Sequence, residues 1–321
     1  MTRSFRSQFM RQLARSTLLM CLLAGLASVA FADSYTYTSI KLPSTFGTFV
    51  SVGGINDAGG IVGTYYDSAG VMRGFLDSGG IFTSITDPLA SPAGGGTEAV
   101  GINNLGEIVG TYFDAQGAPY GFLDNGGIFT TISEGYPTGI NDAGQIVGNA
   151  GAYGPPSIFY GINDEGQLVG TYMEQGVLSS GGTLTTIEDP ADEFTALTGI
   201  NNTGQIVGYG GLAAVYEGFL YSGGIFTTIN PPFDTGYEGD EFLERALAIN
   251  DMGQITGEYY DYYGHLEGFV ATPAAASPEP SPAEMVFSAS ILMIGWRARE
   301  RLSLCWPSRN SRHLASHSDE A

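Results

Sequence analysis

The residues best suited to chemistry recur along this chain. Asp67, Asp114, Glu174 and Asp261 each follow an aromatic-rich run: Tyr65-Tyr66, Tyr112-Phe113, Tyr172-Met173 and Tyr259-Tyr260. Two carboxylates at a suitable separation hydrolyse glycosides. Alternatively, aromatic faces beside carboxylates suit a sugar, with the ring stacking and the hydroxyls donating, so these acids and their aromatic neighbours, eleven side chains without Met173, read as repeated ligand subsites. The third reading is that a feature present throughout a repeat meets a need every repeat shares, such as a turn or a packing contact. Because equivalent positions of a repeat are spread apart, the third reading accounts for these residues best, with multivalent sugar binding and hydrolysis as the alternatives.

Other chemistry is scarce. Cys21 and Cys305 are the only cysteines, and both lie near the termini, so the body has no thiol nucleophile, no cysteine zinc site and no disulfide framework. Its single histidine, His265, sits in the turn-like YYGHLEGF. Neither a G-x-S-x-G elbow nor a phosphate cradle is present. Asn56-Asp57, Asn141-Asp142, Asn163-Asp164 and Asn250-Asp251 offer oxygens. They lack the D-x-[DN]-x-[DN]-G spacing and distal Glu that converge on calcium, and read as hairpin turns. No catalytic residue, metal site or cofactor is assigned.

Charge narrows the partners. The formal net charge is −21, and between Asp33 and Gly295 only Lys41, Arg73 and Arg245 are basic. Such a surface repels phosphate backbones, which excludes nucleic acid. The body is not a disordered polyanion, since 43% of residues are hydrophobic and only 14% charged.

The elements that must position these residues follow from a phrase used six times. GINDAGGIVG at 54, GINNLGEIVG at 101, GINDAGQIVG at 139, GINDEGQLVG at 161, GINNTGQIVG at 199 and AINDMGQITG at 248 are variants of one another. The second copy shows the whole unit: strand-forming runs EAVGIN, EIVGTYF, PYGFL and IFTTI, separated by Asn-Asn-Leu-Gly, Asp-Ala-Gln-Gly and Asp-Asn-Gly-Gly. Asn, Asp and Gly accept the positive φ of tight hairpins, so each unit reads as a four-stranded antiparallel sheet. The unit at 139 keeps its first hairpin but has no GFL strand, giving five full units and an abbreviated one. The weak alternation of IVGTYYD predicts strands pressed on both faces.

The ends of the repeat region are complementary. YTYTSIKLP resembles a fourth strand without its first three, while the last unit has three strands and no fourth. A ring in which the N-terminal strand completes the last sheet accounts for both. The expected fold is all-β: a β-propeller of five to six four-stranded antiparallel blades over 33–273, closed by the N-terminal strand. The alternative, a β-solenoid, stacks units linearly and needs polar caps at both ends, which the sequence does not supply.

Outside the repeat lie segments of a different kind. Residues 1–32 carry four arginines, then an apolar run, then Ala30-Phe31-Ala32, the pattern of a secretory signal peptide cut by signal peptidase after Ala32. A Pro/Ala-rich linker (274–282) leads to an apolar stretch with Arg297, Arg299 and Arg301 behind it (283–301), and a tail (302–321) follows. With Pro278-Glu279-Pro280 at its head, this C-terminal region resembles the PEP-CTERM sorting signal of Gram-negative bacteria. That likeness implies transient membrane anchoring, cleavage by an exosortase and delivery to the cell surface or its exopolysaccharide. G-I-N-x-x-G-x-I-V-G followed by a GFL-type strand is similar to the HAF family of probable extracellular repeats. Here Phe75, Phe122, Phe219 and Phe269 keep the family's Phe, while its His is replaced. The resemblance implies a secreted or surface location and brings no catalytic residues. The expectation is therefore an exported, non-catalytic repeat protein with a structural or polysaccharide-binding role, with a secreted carboxylate hydrolase as the alternative.

Overall fold

A computed structural model describes residues 35–149, 157–212, 215–232 and 244–274. The segments read from sequence as a signal peptide and a sorting signal, including Ala30, Ala32, Pro278, Glu279, Pro280, Arg297, Arg299 and Arg301, lie outside them. Every regular element among the described residues is a strand.

The chain begins with β1 (Tyr35–Ile40). Blade 1 contains β2 (Thr48–Ile55), β3 (Gly60–Tyr66), β4 (Met72–Ser78) and β5 (Ile81–Ile85). Blade 2 contains β6 (Thr97–Ile102), β7 (Glu107–Phe113), β8 (Pro119–Asn125) and β9 (Ile128–Glu134). Unit 3 is a two-stranded sheet, β10 (Tyr136–Ile140) and β11 (Ile146–Asn149). Blade 4 is β12 (Ser157–Ile162), β13 (Leu168–Tyr172), β14 (Gln175–Ser180) and β15 (Thr183–Thr186). Blade 5 is β16 (Phe194–Ile200), β17 (Ile206–Leu212), β18 (Val215–Ser222) and β19 (Ile225–Ile229). Blade 6 is β20 (Glu244–Ile249), β21 (Ile255–Tyr260) and β22 (Leu266–Pro273), with β1 as its fourth strand.

The expected closure is present. β1 runs antiparallel to β22 from Tyr35 opposite Pro273 to Ile40 opposite Gly268. The first strands touch in sequence around the whole circle, β2 to β6, β10, β12, β16, β20 and back to β2. The protein is a β-propeller of five four-stranded blades with a two-stranded sixth unit between blades 2 and 4. The solenoid alternative falls, because a linear stack does not return its last sheet to its first.

Within a blade, one pairing explains two of the repeated residues. The Gly of I-V-G lies opposite the Phe of G-F: Gly63 and Phe75, Gly110 and Phe122, Gly208 and Phe219, Gly257 and Phe269. Phe75, Phe122 and Phe269 are fully buried. A Cβ on Gly110 would stand 2.8 Å from the Phe122 ring, and one on Gly208 equally close to Phe219. Hydrogen in place of a side chain is what lets the ring lie across the sheet.

Between blades, the core divides into clusters that straddle the interfaces. Val62 and Ile85 of blade 1 pack with Ala99, Ile108 and Phe122 of blade 2. Val169 meets Leu197 and Phe219 across blades 4 and 5. Val207 and Ile229 meet Ala246 and Phe269 across blades 5 and 6. Ile40 of β1 joins Val52, Ile55 and Ile61 where the last blade meets the first. Second strands such as β3 are therefore buried on both faces, as their lack of alternation predicts.

Candidate functional site

The recurrent carboxylates turn out to be hairpin caps. Asp67 Oδ1 accepts the backbone N–H groups of Ala69 and Val71, at 2.9 and 3.0 Å. Asp114 Oδ1 accepts those of Gln116 and Ala118, and Asp261 Oδ1 those of Tyr263 and His265. Each holds the loop between the second and third strands of its own blade. The N–H of Val71 and the Arg73 guanidinium, 2.7 Å from Oδ2, hold the Asp67 carboxyl below the usual carboxylate range. Burial pulls the Asp261 carboxyl upward, but the backbone and ring hydrogen bonds of His265 outweigh it.

Glu174 is different. Blade 4 replaces the capped loop with a two-residue turn in which Met173 (φ 47°) and Glu174 (φ 69°) are both left-handed.

The aromatics before these turns divide by strand pleat. Tyr65, Tyr112 and Tyr259 are buried, and their hydroxyls reach Ser84, Thr131 and Ser39 on the fourth strand of the same blade. Tyr66 is 44% exposed, and Phe113, Tyr172 and Tyr260 are half-buried. These residues stand on separate blades, one set each, and do not converge on a common site.

What does converge is the six-fold phrase itself. The first strands surround a central cavity of about 430 Å³, walled by the G-I positions and by Val52, Val100, Thr138, Tyr160, Thr198, Tyr209, Arg245 and Leu247. At one end the Asn-Asp and Asn-Asn turns ring a narrower space of about 70 Å³.

There Asn56 Oδ1 accepts the N–H of Gly60 within its own turn, while its Nδ2 donates to the carbonyl of Asn103 in the next blade. Asn103 donates to Asn141, Asn141 to Asn163, Asn163 to Asn201, Asn201 to Asn250, and Asn250 back to Asn56, all at 2.9–3.3 Å. A second circle runs through the following residue. The N–H of Asp57 donates to Asn104, and Asn104 to Asp142, Asp164, Asn202, Asp251 and Asp57 in turn, at 2.7–2.8 Å. The two circles form a collar in which every first hairpin is tied to the next. The sequence reading found the hairpins and missed the tie. Its signal was legible: Asn occupies the third position of the phrase in all six copies.

The other end of the cavity breaks the symmetry. At one register position the first and second strands oppose Ser51 to Thr64, Glu98 to Thr111, Tyr136 to Asn149, Ile158 to Thr171, Ala196 to Tyr209 and Arg245 to Glu258. Arg245 Nη2 lies 2.9 Å from Glu258 Oε2, and its guanidinium carbon 5.6 Å from the centre of the Tyr209 ring. Glu258 is 2% exposed and accepts the N–H of Val52 from blade 1 at 3.1 Å. Burial raises its pKa, opposed by Arg245 and that N–H. Tyr209 is fixed in turn by Phe194 and Tyr216. Tyr160 shares the cavity wall; burial and the nearby Tyr209 phenol raise its pKa. Among the described residues, no group of three or more His, Cys, Asp or Glu side chains is gathered as metal ligands.

No protein-family model and no curated protein matches the chain. Among solved structures it is similar to a triple mutant of AofleA from Arthrobotrys oligospora, at 12% identity and TM-score 0.32, over 74% of this chain and 76% of that one. It is also similar to a mutant of Aleuria aurantia lectin in complex with Fucalpha1-6GlcNAc, at 11% identity and TM-score 0.30, over 78% and 81%. A third is YCF48 bound to D1 peptide, at 15% identity and TM-score 0.27, over 73% and 71%. Likeness at this distance carries no argument about a site, and the propeller rests on the strand pairings and the closed ring.

Proposed function

We propose that this is an exported, non-catalytic binding protein of a Gram-negative cell surface, whose ligand is an extracellular polysaccharide. The observation that carries the binding role is the central cavity. It narrows at one end to the space of about 70 Å³ inside the collar and is furnished at the other with side chains that depart from the repeat. Its size falls within the roughly 300–1,000 Å³ of small-ligand sites. The leader-like 1–32 and the PEP-CTERM-like 283–301 support export and sorting by signal peptidase and exosortase. The HAF-like repeat supports the extracellular location.

The hydrolase alternative draws little support from the turns, since Asp67, Asp114 and Asp261 stand on different blades and spend Oδ1 on their own loops.

Two measurements test this reading. Purified protein on a glycan array should retain polysaccharide without releasing reducing ends. Release of reducing sugar, abolished by one Asp or Glu substitution, would instead establish the hydrolase. Mass spectrometry of the secreted form should find a new N-terminus after Ala32 and a C-terminus near Pro278-Glu279-Pro280. An intact leader recovered from the cytoplasm would refute export.

A further inference from the structure

We infer that the end of the central cavity opposite the collar recognises a carboxylate-bearing saccharide of the uronic-acid class, through Arg245; this rests on the polysaccharide-binding reading above. A repeat protein supplies its own control, because five sister units show what the scaffold requires. At the position of Glu258 the sisters carry Thr64, Thr111, Asn149, Thr171 and Tyr209. At the position of Arg245 they carry Ser51, Glu98, Tyr136, Ile158 and Ala196. Blade geometry therefore demands neither a guanidinium nor a buried carboxylate.

Nor are the departures scattered. Tyr160 comes from blade 4, Tyr209 from blade 5 and the Arg245–Glu258 pair from blade 6, and Tyr160, Tyr209 and Arg245 line the same cavity. Arg245 is the one cationic residue among those lining it, in a repeat body with only two other basic residues.

Its state is that of a prepared donor. Glu258 accepts from Nη2, the Tyr209 ring covers a face, Nε is buried without a partner, and the Arg245 side chain keeps 29% of its surface. A guanidinium pinned in this way loses little further freedom on taking a second partner, and its planar fork matches a carboxylate in two parallel hydrogen bonds. Tyr160 and Tyr209 place aromatic surface beside it, as a sugar ring requires. Carboxylate, rather than hydroxyl alone, follows from cation choice: an acidic surface disfavours anions everywhere else, so one retained arginine inside the ring is where an anionic sugar is admitted.

The test is titration calorimetry of the whole protein with oligouronates, against neutral hexose oligomers of equal length. Oligouronates should bind at least tenfold more tightly, and the double variant R245A/E258T should lose that preference. This variant removes both charges together, so no carboxylate is left buried alone, and unfolding of the variant and parent is compared to show that the fold stands. R245K, which keeps the charge but not the fork, should retain only part of the preference. Equal binding of neutral and acidic oligomers, or a preference that survives in R245A/E258T, overturns the inference while leaving the polysaccharide reading intact. Binding of neither overturns both.

Discussion

The two ends of the central cavity are made by the same six strands and are built on opposite principles. At the collar every unit contributes the same Asn and an Asp or Asn after it, and each side chain is spent on the neighbouring turn. At the far end the equivalent positions hold Ser, Glu, Tyr, Ile, Ala and Arg, and the charged pair belongs to one blade. Repetition satisfies itself: each unit's turn donates to the next around a closed circle. Departure from repetition leaves groups whose partners are not all within the fold. In a ring of copies, the residues worth pursuing are those the copies do not share.

That contrast is broken most severely at the unique end. Arg245→Met leaves Glu258 buried without its cation, and should cost about 3 kcal/mol in urea unfolding. R245A/E258T should cost distinctly less, because the stranded charge is gone. If the two variants unfold alike, the pair is not the isolated feature described here.

The collar comes next. Asn250→Ala removes the link that closes the ring onto Asn56 and takes the partner from the N–H of Gln254 in the turn, for a loss of about 2 kcal/mol. Asn104→Ala, whose side chain is exposed, should stay within about 1 kcal/mol. Equal losses would mean that the inner circle is no stronger than the outer.

A third comparison uses pH. Burial, and secondarily Glu217, push the Glu244 carboxyl up to about 7. A carboxyl with a raised folded-state pKa is destabilising when ionised, so stability should rise as pH falls from about 7 towards the unfolded value near 4.5. Glu244→Gln should flatten that slope in thermal unfolding followed from pH 8 to pH 5. An unchanged slope assigns the effect to other acids.

The smallest effect is a gain. Met173 and Glu174 hold left-handed backbone where the corresponding turns of blades 1, 2 and 6 use Gly70, Gly117 and Gly264. M173N/E174G supplies the Asn-Gly pair suited to such a hairpin, and should stabilise by about 1 kcal/mol in the same urea measurement.

Much of the site's surroundings was legible from residues alone. GIN-x-x-G announces a hairpin, whereas the Phe of G-F laid across the Gly of I-V-G emerges only when the strands are paired. The orphan strand YTYTSI and the three-stranded last unit announce closure. Asp67, Asp114 and Asp261 were equally visible, but their role was not. A carboxylate behind an aromatic reads alike as cap and as ligand until the loop N–H groups are seen pointing at Oδ1. Glu174 looked like their equivalent and proved to occupy a shorter turn, because its two-residue hairpin joins Tyr172 directly to Gln175.

The sequence by itself determined the blade and the strand that shuts the ring, because these depend on local pattern: turn residues, periodicity and spacing repeat within a few tens of residues. That five units are full blades and one is two-stranded was decided by the structure. Only the tertiary structure decided that six asparagines form one circle, and that Tyr160, Tyr209 and Arg245 line a single cavity with Glu258 buried behind the arginine. Those contacts join residues up to 194 apart in the chain, and no local pattern encodes which side of a ring each strand turns inward.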